Sequence, residues 1–123
     1  MPDGALITAI QRPEPPAELT EEQAHEWRCV VNRLPAEWFP RETHGLLAQY
    51  CRHVVAARRV AQLIAEFEAH EEIDVEQYDR LLKMQEREGR AISSLATRMR
   101  ISQQSTLDRE KRKPVKPQRK PWE

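Results

Sequence analysis

Residues 43–100 read THGLLAQYCRHVVAARRVAQLIAEFEAHEEIDVEQYDRLLKMQEREGRAISSLATRMR, and this stretch decides the fold. In its first half Leu47, Tyr50, Val54, Ala57, Ala61 and Ile64 recur at alternating spacings of 3 and 4. In its second half Tyr78, Leu82, Gln85, Gly89, Ile92, Ala96 and Met99 do the same. That alternation draws one stripe along one face of a helix, close to a coiled-coil seam. No Pro interrupts either half. The segment His70 to Val75 between them is long enough only for a tight connection, so the two helices are antiparallel neighbours. At about 1.5 Å per residue each is roughly 40 Å long. With the turn centred near Glu72, Gly89 faces roughly Val55 and lies near Ala57. Two readings of Gly89 follow: a close approach of the two backbones, or a tolerated surface residue.

Working outward, Met1 to Leu19 holds Pro2, Pro13, Pro15 and Pro16 with little periodicity, and reads as an extended or disordered arm over residues 1–19. Thr20-Glu21-Glu22-Gln23 has the form of a capping box. Gln23, Trp27, Val30, Val31 and Leu34 share a face, and Pro35 stops the helix, which spans about Glu21 to Arg33. Pro35 to Pro40 is a compact link. Its Trp38 and Phe39 read either as a plug tying the first helix to the hairpin or as an exposed surface for a partner. The second helix covers about 43–69. The third covers about 75–101, with Asp74 as N-cap and Gln77 at N3, and Ser102 to Thr106 dissolve its pattern.

The fold class is therefore all-α: an N-terminal helix, a long antiparallel helical hairpin and a basic tail over residues 102–123. At 123 residues the chain is at most one ordinary domain, and 33% charged residues against 6% aromatics favour a helical, highly solvated protein. A lone hairpin buries one seam only. Leu46, Cys51, Val55, Leu81 and Leu95 widen the apolar stripe beyond it. The first helix, further copies of the chain, or both would cover them. Leu46, Val55, Leu81 and Leu95 are thus the candidate oligomer interface.

The net charge of zero hides an asymmetry. Residues 1–108 carry 13 Lys+Arg against 18 Asp+Glu; residues 109–123 carry 7 against 2. The end, REKRKPVKPQRKPWE, mixes three Pro with seven cations, which excludes a stable helix and points to a disordered segment with polyproline II character. Arg98, Arg100, Lys111, Arg112, Lys113, Lys116, Arg119 and Lys120 are the candidate DNA-binding residues, neutralising phosphates without reading bases. A solubilising tail is the alternative. Trp122 is either an anchor for a partner protein or a neutral residue.

Catalytic chemistry finds little support. The sequence holds no GxxxxGK[ST], GxSxG or HExxH, and only three Gly from which to build a catalytic loop. Glu66, Glu68, Glu71, Glu72, Asp74, Glu76 and Asp79 form an acidic, solvated tip. His44 and His53, nine residues apart, diverge around their helix, and Cys29 and Cys51 belong to no CxxC pair, so no metal constellation emerges. Both Cys read as reduced, buried thiols. No apolar run reaches 18 residues and no secretory leader opens the chain. The expectation is a non-enzyme without metal or cofactor.

The run EEQAHEWRCVVNRLPAEWFPRETHGLLAQYCRHVVAARRVAQLI and the later LATRMRISQQSTLDREK resemble phage terminase small subunits of the P27-like group. The matching positions are Trp27, Leu47, Tyr50, Cys51, Arg58, Leu95, Met99, Ile101 and Ser102, within about residues 19–110. The resemblance implies a non-catalytic component of a viral DNA-packaging motor in the host cell cytoplasm. Such a component would assemble into a ring, engage double-stranded phage DNA and regulate or recruit the large ATPase–nuclease subunit. The competing reading is a helical protein-interaction or regulatory module that binds no nucleic acid.

Overall fold

The computed structural model describes residues 11–112, the backbone throughout and the side chains of residues 11–100. Three α-helices follow one another: α1 (Glu21–Arg33), α2 (His44–Glu68) and α3 (Val75–Arg112), with two single-turn 3₁₀ segments, Ala36–Trp38 and Arg41–Thr43, between α1 and α2. No strand occurs among the described residues.

The capping box opens α1 as its sequence requires. The Thr20 hydroxyl accepts from Gln23 N (3.2 Å) and Thr20 N donates to Gln23 Oε1 (3.0 Å), so two backbone donors are satisfied reciprocally. At the other end Leu34 is extended, as the residue before Pro35 must be. Ala24, Trp27, Val30 and Val31 are buried against α2.

The arm read as extended or disordered over residues 1–19 is, in its described part, an extended segment docked on α1. The indole of the fully buried Trp27 donates to the Pro13 carbonyl (2.9 Å). Arg12 donates to the carbonyls of Val31 and Leu34, the latter at 2.6 Å. Leu19 is buried beside Ala24 and Trp27. The reason is hydrogen-bond demand: α1 ends with unpaired carbonyls and buries an indole N–H, and an extended strap supplies partners for both. The part of the expectation covering residues 1–10 lies outside the described residues.

Phe39 is core and Trp38 packs half-buried against it, which is the plug reading of the link. The Thr43 hydroxyl donates to the Pro40 carbonyl (2.8 Å), satisfying a buried polar side chain. Trp27 meets His44 edge-on, with ring centroids 5.7 Å apart at 75°.

α2 and α3 form the antiparallel hairpin. Near the turn Phe67 and Tyr78 stack (5.7 Å, 9°), and the Tyr78 hydroxyl donates to Glu68 (2.6 Å). At mid-length His53 Nδ1 lies 2.6 Å from Glu88 Oε2. At the open end Met99 joins Leu47, Ala48 and Cys51 beneath α1. Asp74 caps α3, its carboxylate accepting from Glu76 N (3.1 Å) and Gln77 N (3.4 Å).

The seam on α3 differs in phase from the expected stripe. Leu81, Leu95 and Met99 are buried and Glu88 and Ile92 half-buried, whereas Leu82, Gln85 and Gly89 are exposed. A 3–4 alternation through Tyr78, Gln85, Ile92 and Met99 accommodates either set of intervening positions, and packing chose Leu81, Glu88 and Leu95. This corrects the candidate oligomer interface. Val55, Leu81 and Leu95 are interior to the chain's own hairpin (1%, 6% and 5% exposed), and Leu46 packs half-buried on the main core. Gly89 also proves to be on the outer face. A Cβ built there meets nothing within 4 Å, so the close-approach reading does not hold.

α3 does not stop near Ile101 but continues to Arg112. Residues 102–112 hold neither Gly nor Pro. Loss of the apolar pattern there does not end the helix. The first Pro beyond Ile101 is Pro114.

Candidate functional site

Where α1 ends, the link turns and α2 and α3 pass beneath, the four elements leave a half-open cleft of about 320 Å³. Trp38, Phe39, Tyr50 and Met99 line it, with Arg33 and Arg100 at its edges. Pro35 sets this geometry by ending α1 and turning Trp38 and Phe39 back toward α2. Both arginines are exposed, and neither forms an ion pair among the described residues. The cleft is therefore an aromatic floor between two cations, suited to an apolar group flanked by negative charge.

Five other cations of the folded body are engaged in ion pairs, while Arg41, Arg52, Arg80, Arg87 and Arg98, like Arg33 and Arg100, form none among the described residues. Arg58 meets Glu26 (2.7 Å) and Glu22 (4.0 Å), Arg59 reaches Glu22 (3.9 Å), and Arg28 meets Glu21 (3.3 Å). Lys83 pairs with Asp79 (2.9 Å) and Arg90 with Glu86 along α3. The Arg58 and Arg59 bridges tie α2 to α1. Being largely exposed, each contributes little singly.

Of the candidate DNA-binding residues, Arg98 and Arg100 are exposed on α3, and Lys111 and Arg112 occupy its last turn. Lys113, Lys116, Arg119 and Lys120, and the partner-binding candidate Trp122, lie outside the described residues. The structure thus places four of the eight on one continuous helix, at the C-terminal end where cations also suit the helix dipole. Sequence reasoning missed the cleft. Tyr50 and Met99 read as seam residues, and no local signal announces that they meet Trp38 across three elements.

The thiols separate. Cys51 is buried, and burial, reinforced by the nearby Glu26 carboxylate, pushes its thiol up to about 12, which leaves no useful thiolate at neutral pH. Cys29, expected to be buried, is exposed, with its Sγ 3.6 Å from His25 Nε2. It sits on the face of α1 opposite the one that Trp27 and Val31 bury. Among the described residues no three His, Cys, Asp or Glu side chains converge as metal ligands, and no helix is long and apolar enough to cross a membrane.

Comparison of the chain with protein-family models, curated proteins and solved structures gives no match.

Proposed function

We propose that this protein is the non-catalytic small subunit of a viral DNA-packaging terminase. It assembles with copies of itself into a ring in the host cell cytoplasm, binds phage DNA and recruits or regulates a large ATPase–nuclease subunit. The observation that carries the reading is the course of α3. One unbroken helix leads from the acidic turn, through the core, to a cationic end at Lys111 and Arg112. The sequence resemblance to terminase small subunits supports the same reading. Such a rod holds its positive end away from the carboxylates of the tip, and Asp108 and Glu110 are the only acids among residues 102–112. Phosphate contact of this kind positions DNA and is indifferent to base sequence.

The test replaces Lys111, Arg112, Lys113, Lys116, Arg119 and Lys120 by Gln. With all six engaged, the unmodified protein binds duplex DNA with a slope of log K against log salt on the order of −5. The variant loses that slope and binds all duplexes more weakly, while its helicity stays unchanged. Unaltered, salt-insensitive binding would remove the DNA role from this end.

The cleft favours a second reading, a docking module without nucleic-acid binding, since an aromatic floor is also how proteins seat a peptide anchor. A chain that ignores DNA at low salt, and whose Trp38→Ala variant loses a protein partner, would establish it.

A further inference from the structure

The hairpin leaves apolar surface uncovered at both ends, and the charges around the two patches are opposite. At the turn Ile73 is 48% and Val75 75% exposed, the latter the most exposed of the large apolar side chains among the described residues. Glu71, Glu72, Asp74 and Glu76, interleaved with them, are all exposed. At the open end lies the aromatic cleft between Arg33 and Arg100. Its volume is at the small end for binding sites, enough for a few apolar side chains and too little for a helix.

The tip cannot fill the cleft of its own chain. Met99 in the cleft and Val75 at the tip stand on the same helix, roughly 36 Å apart at 1.5 Å per residue. We propose that the hairpin tip of one copy inserts into the cleft of the next. Ile73 and Val75 lie against Trp38 and Tyr50, and Glu72 and Glu76 face Arg33 and Arg100. The contact joins two different surfaces, so it repeats head to tail and closes into a ring or continues as a filament. One such contact is small and weak singly, and closure multiplies it. The inference rests on the self-assembly part of the proposed function and is independent of its DNA-binding part.

Two variants of the full chain test it, one blocked at the tip (Ile73→Lys) and one blocked at the cleft (Arg33→Glu with Arg100→Glu). By light scattering, the unmodified protein grows in mass with concentration. Each variant alone stays at the single-chain 14.5 kDa. Mixed at the high concentrations where the unmodified protein already shows its first contact, before closure, they form one-to-one pairs of twice that mass and nothing larger, because each supplies the surface the other lacks. Val75→Ser, at the most exposed apolar position of the tip, weakens assembly in the same direction, and circular dichroism verifies that all variants remain helical. A tip-blocked chain that assembles like the unmodified protein, or a mixture that fails to pair, overturns the contact while leaving self-assembly standing. An unmodified protein that stays at single-chain mass at every concentration overturns both.

Discussion

Replacing Gly89 by Ala should stabilise the protein. Gly89 lies in the interior of α3, has no positive φ, and a Cβ there meets nothing within 4 Å. No steric term opposes the substitution, so only the backbone term remains. Ala gains about 0.8–1 kcal/mol over Gly in a helix interior, chiefly because the unfolded chain loses conformational freedom. For a folded body of this size that raises Tm by about 4–8 °C. Urea unfolding followed at 222 nm should show a higher midpoint with an unchanged m-value, since no buried area changes. Gly45→Ala serves as the comparison. It is equally unobstructed but stands at the second residue of α2, where fraying makes the gain smaller. The reasoning is refuted if Gly89→Ala lowers the midpoint. Such a loss would mean that a backbone, from α2 or from a second copy, lies against Gly89 and needs the missing Cβ.

Leu95→Ala should cost about 2–5 kcal/mol, as for other fully buried leucines, and unfold the hairpin at lower urea. A near-neutral result would return Leu95 to the surface. Thiol titration with a colorimetric disulfide at pH 8 should give one fast equivalent, Cys29, and a second, Cys51, only on unfolding. Two fast equivalents would contradict the packing of Cys51. Folding holds that thiol protonated up to about 12 against an ordinary 9.0, so its contribution to stability is complete below pH 9 and is lost as pH rises toward 12. Replacing Cys51 by Ala should flatten that alkaline decline in a pH series of urea melts.

The sequence by itself determined the three helices and most of their ends. Thr20 with Gln23, Asp74 before Val75, and Pro35 after Leu34 each act on backbone groups within four residues, and so are readable locally. The run of α3 from Ile101 to Arg112 was not readable from the apolar pattern, which fades after Ile101. Part of the site was legible as well. Trp38 and Phe39 stood out by composition, and Arg100 by its place before the basic end. What only the tertiary structure decided was the phase of the seam, the docking of Arg12 and Pro13 on α1, and the convergence of Tyr50, Met99 and Arg33 on the cleft. These depend on partners distant in sequence. Leu81 or Leu82, and Leu95 or Ala96, fit the same 3–4 alternation equally well. In the structure Leu81 packs with Val60 and Ile64 of α2 and Leu82 is left exposed, a choice made by distant partners and not by the local pattern.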